Sequence, residues 1–374
     1  MKNSDFKQNL ILAIDTSCDE TSVAVVKGDK ALSNLYSSQI ELHKQYGGVV
    51  PSIAKLAHQE RIDSILKQSL KRAKISLEQL DAVAVTQGPG LAIALEIGIL
   101  KAKEVAEKYN KPLVSVNHME GHLLSGLIHR NSKSDSRDEV EFPVLGVLVS
   151  GKHTELVLVE DFGKYKVIGE TLDDACGECF DKCGRLLGLG YPAGPAITKF
   201  AKERRVNINL EVVHKNTSVL VKGTNIHTNK EYFLPVSMAN SGDLNFSYSG
   251  LKTAFRDLVS KLPELDAETI KDLCVVFEHA ALLQIITKLE KAIRQYNPKE
   301  IWLGGGVVAN ARLRTLVRKS AKGLKVRYPS SKKLTGDNAA MIGVAANYCL
   351  NQNRGVYRDS KDFDKIDREP NLTF

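Results

Sequence analysis

The chain has 374 residues, 43% of them hydrophobic and 26% charged, enough to build two lobes with separate cores. Lysine and arginine number 52 against 44 acids, an excess of 8 that suits a polyanionic partner such as RNA without establishing one. No apolar run approaches the ~20 residues a membrane helix needs. The opening Met1-Lys2-Asn3-Ser4-Asp5-Phe6 has neither a secretory apolar core nor an Arg-rich transit character, so a cytoplasmic protein with no membrane contact is expected.

In chain order, Asn9 to Val26 reads as two apolar strands joined by a turn of hydroxyls and acids that includes Asp15 and Ser17. Helical periodicity runs from Pro51 to about Ala73 and from Ala92 to about Tyr109, with the strand candidate Ala82-Val83-Ala84-Val85-Thr86 between them. Val144 to Val159 repeats the first pattern: strand, tight turn at Ser150-Gly151-Lys152-His153, strand. Two related hairpins roughly 130 residues apart imply two similar lobes whose turns face a shared cleft. Val206 to about Tyr232 shows β-like alternation, including Thr217 to Val221, and is expected to be an inserted β-hairpin. A helix over Ala267 to about Tyr296 and a strand at Glu300-Ile301-Trp302-Leu303 follow, giving an α/β architecture with mixed sheets. The residues after Leu350 are polar and charged and read as a loose tail.

The most informative segment is Asn117-His118-Met119-Glu120-Gly121-His122. Imidazoles four residues apart share one helical face and can share one metal ion, although such pairs also occur on ordinary surfaces. A third ligand is needed, and the candidate is Asp337 at the entry to an apolar helix, where it could equally be an N-cap. Glu120 falls about 200° around the helix from His118, a poor position for the base of a metalloprotease water.

Three glycine-rich turns, at Gln87-Gly88-Pro89-Gly90, Ser150-Gly151 and Gly304-Gly305-Gly306, stand at strand ends and suit close approach to an anion. Together they suggest a nucleotide cleft in which Asn310 meets a ribose or base. Asp181 lies too deep in its helix to serve the helix dipole and is a candidate for a polar ligand. Lys252 sits near a helix start among hydroxyls, either at a phosphate or in a capped surface loop. Cys176, Cys179 and Cys183 align on one helical face, and small buried residues explain them better than a metal site without a fourth ligand. From Ala311 to Lys333 there are nine basic residues and no acid, a solvated face or a contact for RNA.

Taken together, from about Ile11 to Cys349, these segments resemble the TsaD family of tRNA N6-adenosine threonylcarbamoyltransferases, once called glycoproteases. The resemblance rests on Asp15-Thr16-Ser17-Cys18-Asp19-Glu20-Thr21, His43 with Gly47-Gly48-Val49-Val50-Pro51, Gly88-Pro89-Gly90-Leu91, the 117–122 hexapeptide, and Leu148-Val149-Ser150-Gly151 with His153-Thr154. It extends through Asp173 to Lys182, Ser249-Gly250-Leu251-Lys252-Thr253, Gly305-Gly306-Val307 with Asn310, and Asp337-Asn338.

The resemblance implies an actin-like ATPase fold, of the sugar-kinase and heat-shock-chaperone type, with two ribonuclease-H-like lobes. These would span 1–139, joined by 338–352, and 140–337, with a polar tail at 353–374. It implies threonylcarbamoyl-AMP as donor and adenosine 37 of tRNAs reading codons that begin with A as acceptor. By analogy His118, His122 and Asp337 hold one divalent metal, Fe2+ first and Zn2+ second. Leu148, Val149, Ser150, Gly151, Lys152, Asp181, Gly194 and Asn310 line the donor site, with Asp15, Ser17 and Lys252 in support. The implied partners are a smaller paralogous subunit of the TsaB type and a P-loop ATPase of the TsaE type. Lys152 departs from the family's usual glycine, Ala193 replaces another, and the 206–232 insertion is extra. The rival readings are a phosphotransferase or ATPase of the same fold, a metalloprotease, and a non-catalytic scaffold, the last disfavoured by the histidines.

Overall fold

The computed structural model of the chain describes residues 6–129, 139–216 and 218–374. Residues 1–5, read above for targeting, and Thr217 lie outside them. The first hairpin is β1 (Leu10–Asp15) and β2 (Glu20–Lys27), extended by β3 (Lys30–Ser38). A short α1 (Ile40–His43), α2 (Pro51–Ala73), β4 (Ala82–Gly88), α3 (Ala92–Lys108), β5 (Leu113–Asn117) and α4 (His118–Leu124) follow. Pro51 opens α2 at a position whose N–H would have no helical partner.

The second hairpin is β6 (Val144–Val149) and β7 (Thr154–Asp161), extended by β8 (Lys164–Glu170). Then come α5 (Cys176–Leu186), α6 (Gly194–Arg204), β9 (Ile208–Lys215), β10 (Ser218–Asn225), β11 (Glu231–Pro235), α7 (Ser249–Ser260) and α8 (Ala267–Tyr296). The chain continues through β12 (Glu300–Gly304), α9 (Ala311–Ser320), β13 (Lys325–Arg327), α10 (Ala339–Gln352) and β14 (Val356–Tyr357).

The two main sheets share one plan. In the first the order is β14-β5-β4-β1-β2-β3, and in the second β13-β12-β6-β7-β8. In each, a three-stranded antiparallel meander is continued on the inner strand by parallel strands, β1 to β4 and β6 to β12. This is the duplicated mixed-sheet lobe of the actin-like ATPase fold.

Strands covered on both faces read as unbroken apolar runs, and alternate side chains enter different cores. Leu12 and Ile14 of β1 pack beneath α2 and α3, whereas Ile11 and Ala13 face α10. Leu145, Val147 and Val149 of β6 join α8 in the second lobe's core, while Val144 and Leu148 join the core that holds α4 and α10. Helices α4 and α10 therefore lie between the two sheets. Helix α10 is bound to the first sheet at both ends: the Ala339 N–H donates to Ser22 Oγ at 2.8 Å, and the Asn9 N–H donates to Asn347 Oδ1 at 3.1 Å. Gly343 permits the contact, since a Cβ there would meet Val26 at 2.7 Å.

Two expectations are corrected. The insertion is a three-stranded sheet, because Glu231–Pro235 adds to the 208–225 hairpin and buries Tyr232 and Leu234 against the second lobe's core. The residues after α10 are not loose: β14 pairs with β5, and Phe363 and Ile366 are 4% and 1% exposed beneath the first sheet. Two apolar anchors among many charges escape a compositional reading but suffice to dock a short segment.

Among the described residues no helix is long and apolar enough to cross a membrane. A buried ion pair ties the edge of the second sheet: Arg327 donates to both oxygens of Glu300, at 2.6 and 3.0 Å, and Trp302 Nε1 donates to the same carboxylate at 2.9 Å. Glu300→Ala leaves a buried guanidinium without its carboxylate, and chemical denaturation should show a loss of about 3 kcal/mol.

Candidate metal centre and cleft

Asn117 ends β5 and caps α4, its Oδ1 accepting from the Met119 and Glu120 N–H groups at 2.8 and 3.3 Å. The helix it starts carries His118 and His122 on one face, 7% and 1% exposed. The carboxylate arrives 215 residues later from the turn before α10. There Asn338 is the helix cap, its Oδ1 accepting from Met341 N–H at 3.3 Å, which leaves Asp337 available as a ligand.

Asp337 Oδ1 lies 3.4 Å from His118 Nε2 and 3.1 Å from His122 Nε2, and the two rings meet edge to face with centroids 4.6 Å apart. One donor atom from each of the three residues falls within 4.8 Å of the others. Asp15, fully buried, places Oδ1 3.7 Å from His118 Nδ1 while accepting from Thr86 Oγ1 at 2.8 Å. His118 Nδ1, His122 Nδ1, Asp15 Oδ2 and Ser17 Oγ are all buried without a hydrogen-bond partner. Burial opposes charge on His118, but Asp337 and Asp15 outweigh it and raise the imidazole to about 10. Burial likewise opposes ionisation of Asp337, yet the two histidines hold it well below the usual carboxylate range. Two imidazoles and one ionised carboxylate converging with unsatisfied polar atoms around them fit a divalent cation.

This centre lies beside a cleft of about 830 Å³ between the lobes, lined by His118 and Asp337. Ser150, Gly151 and Lys152 of the β6–β7 turn line its second-lobe wall, as does Asp181 of α5. The Ser150 hydroxyl shapes the turn by accepting from the His153 and Lys152 N–H groups at 3.0 and 3.3 Å. Asp181 Oδ1 accepts from the Ala193 and Gly194 N–H groups at 2.8 and 3.2 Å, so it fixes the start of α6, and burial raises its carboxyl. Ser17 lines the first-lobe wall.

The other residues singled out in the sequence stand elsewhere. Leu148 and Val149 are 0% exposed, with side chains in two cores, so they have only main chain to offer. The side chain of Asn310 is fully engaged: Oδ1 caps α9, and Nδ2 donates to Glu278 Oε1 at 2.7 Å and Thr198 Oγ1 at 3.1 Å. Lys252 donates to Asp174 Oδ2 at 2.6 Å, beside the Lys182–Asp174 pair, and is not part of the cleft lining. Glu120 points away from the metal face, accepting from Tyr165 Oη at 2.7 Å and Arg354 Nη2 at 2.6 Å. Cys176, Cys179 and Cys183 are fully buried free thiols, and burial pushes Cys176 up to about 12. Two of the glycines serve packing: a Cβ at Gly304 would lie 2.2 Å from the His122 carbonyl oxygen, and one at Gly305, where φ is +97°, 2.4 Å from that of Val149, whereas Gly151 and Gly306 face open space in the cleft.

His153, Tyr191, Pro370 and Asn371 also line the cleft and were not assigned a role from sequence. Burial, then the charges of His118 and His122, lower the His153 imidazole to about 4, leaving a neutral ring. Only His153 carried a signal, its place in the second hairpin turn.

The family model described as TsaD, tRNA N6-adenosine threonylcarbamoyltransferase, matches residues 30–344. The chain belongs to the TsaD family. It is 41% identical over 368 residues to the tRNA N6-adenosine threonylcarbamoyltransferase of Streptococcus thermophilus, covering 97% of each chain. It is 40% identical over 374 residues to that of Ligilactobacillus salivarius, covering 99% of this chain and 98% of that one. Among solved structures, full-length HypF in a phosphate- and nucleotide-bound form has a TM-score of 0.52 at 12% identity, with 93% of this chain and 47% of that one covered. The activator of 2-hydroxyisocaproyl-CoA dehydratase from Clostridium difficile, with bound ADPNP, has a TM-score of 0.50 at 10% identity, covering 92% and 96%. At these identities the two structures speak for the fold alone. The TsaD-family chain is thus a transferase that modifies adenosine in tRNA at N6 with a threonylcarbamoyl group.

Asp337→Asn should strip bound divalent metal from the purified protein while leaving its circular dichroism unchanged, as read by elemental analysis. Asp15→Ala, which removes the carboxylate behind His118, should weaken metal affinity about 10–100-fold in a chelator competition.

Proposed function

We propose that the donor is threonylcarbamoyl-AMP and the acceptor adenosine 37 of tRNAs reading codons that begin with A, with one divalent metal held by His118, His122 and Asp337. The observation that carries this reading is the convergence of those three side chains beside a cleft whose opposite wall is the Ser150–Lys152 turn. Two histidines and a carboxylate suit Fe2+, with Zn2+ second. When bound, the metal supplies Lewis acidity to the acyl oxygen of the donor.

The chain's own residues do the remaining work. A bond forms between N6 and the carbamoyl carbon, the bond from that carbon to the phosphate oxygen breaks, AMP leaves with the electron pair, and the N6 proton passes to solvent. The Ser150–Lys152 turn, beside the start of α6 that Asp181 fixes at Ala193 and Gly194, suits the adenylate. Lys152, exposed at the turn that lines the cleft, adds a cation for the departing phosphate. Asn310 and Lys252 support this site indirectly, by holding α9 and Asp174, whereas Ser17 stands on the first-lobe wall with its hydroxyl unpartnered. Glu120 is committed to Tyr165 and Arg354, which speaks against peptide hydrolysis. The metal histidines favour the catalytic subunit over a scaffold.

Partners follow from the same reading. Leu42, Tyr46, Leu56 and Leu100 stand 39–60% exposed on first-lobe helices and the turn after α1, apolar surface suited to a smaller paralogous subunit of the TsaB type. A P-loop ATPase of the TsaE type and a cytoplasmic location belong to this proposal. Within the basic 311–333 stretch Arg327 is consumed by Glu300, while Lys319, Lys322, Lys325, Lys332 and Lys333 remain exposed toward tRNA.

Transfer of labelled threonine to unmodified tRNA, with purified partners, should occur with the wild type and fall at least 100-fold in His118→Ala. Failure of transfer, with ATP hydrolysis that survives the substitution, would favour phosphotransfer instead. Reversing Lys319, Lys322, Lys325 and Lys332 to Glu should weaken tRNA binding and reduce its salt dependence, measured as the slope of log affinity against log salt.

A further inference from the structure

Residues 369–374 run across the mouth of the cleft and join both lobes. The Glu369 N–H donates to the Gln87 carbonyl at 2.9 Å, and the Gly90 N–H donates to the Pro370 carbonyl at 3.1 Å. The Gln87 side-chain amide donates to the Glu369 carboxylate at 2.8 Å. Further on, Asn117 Nδ2 donates to the Thr373 carbonyl at 3.0 Å, and the Phe374 ring lies 5.3 Å from that of Tyr165 in the second lobe.

The seat for this strap is built into the first lobe. A Cβ at Gly88 would lie 1.8 Å from the Glu369 carbonyl oxygen, so a side chain at that position and the strap cannot occupy their places together. The strap is also attached to the metal helix through one residue, because Asn117 caps α4 with Oδ1 and holds Thr373 with Nδ2.

Pro370 and Asn371 line the cleft and are exposed, and the Asn371 side-chain amide makes no hydrogen bond among the described residues. The second-lobe wall opposite carries Ser150, Lys152 and Asp181, with His118 and Asp337 beside it. A small donor lying along that wall leaves the strap side for the nucleophile. A macromolecular acceptor must enter from the rim, where the strap stands.

We propose that Pro370 and Asn371 form the acceptor side of the cleft, and that the Asn371 amide positions the base of the target adenosine. This rests on the donor occupying the second-lobe wall. An asparagine amide accepts from one N6–H and donates to N7 of adenine at once, which orients the amine while the rest of N6 faces the acyl carbon. A base splayed from a single-stranded loop presents that edge.

The test compares wild type, Asn371→Ala and a chain ending at Arg368, measuring AMP affinity by calorimetry and KM and kcat for unmodified tRNA at saturating donor. AMP affinity should stay within about twofold, while KM for tRNA should rise roughly fivefold or more in Asn371→Ala and further in the shortened chain, with kcat changing less. Asn371→Gln should recover part of the loss. If the shortened chain does not fold, Asn371→Ala decides by itself. Unchanged tRNA kinetics, or AMP affinity falling in step with tRNA affinity, would overturn the assignment. A wild type that transfers threonylcarbamoyl yet binds no AMP would remove the donor wall and overturn it too, while leaving the transferase reading intact.

Discussion

The structure turns on one constraint: two buried imidazoles and one carboxylate, separated by more than two hundred residues, must meet at the boundary of two lobes. Neither lobe can supply the set alone. Helix α4 emerges from the first sheet, and Asp337 precedes α10, which leaves the second lobe and packs back on the first. Burial makes any uncompensated charge there expensive, so the carboxylate and the histidines stabilise one another. The duplicated sheets, the core between them and the cleft beside it all serve to hold that meeting point.

Close main-chain approach is the second theme. Gly304 brings β12 against the end of α4, Gly343 lets α10 settle on β1 and β2, and Gly88 admits the 369–374 strap. Each replaces a side chain with the nearness of another segment. Within the glycine turns, Gly88, Gly304 and Gly305 are packing devices, whereas Gly151 and Gly306 face open space in the cleft. Glu120 and Arg354 illustrate a related economy: the acid beside the metal histidines faces the other way and bonds the chain segment that follows α10.

Much of this was legible in the sequence. Periodicity marked the long helices and both hairpins, because each element's apolar pattern reports which of its own faces is buried. The pair His118 and His122 was readable for the same reason, as residues on one turn keep their relative direction whatever surrounds them. The segment after α10 was not, since Phe363 and Ile366 are two anchors among charges and their seat is made by distant strands. Asn310 and Lys252 looked like ligand contacts by residue type, but a side chain's partners depend on what the fold brings alongside, and Glu278, Thr198 and Asp174 occupy them.

The sequence by itself determined the two-lobe α/β plan, the shared helical face of His118 and His122, and the family, because these rest on local spacing and on motifs in fixed order. Tertiary structure alone decided that Asp337 turns to His118 and His122 while Asn338 takes the helix cap. It also decided that Asp181 fixes the start of α6, and that Pro370 and Asn371 stand at the cleft. These are meetings between segments far apart in the chain, and local preference carries no information about which distant group will fill a given space.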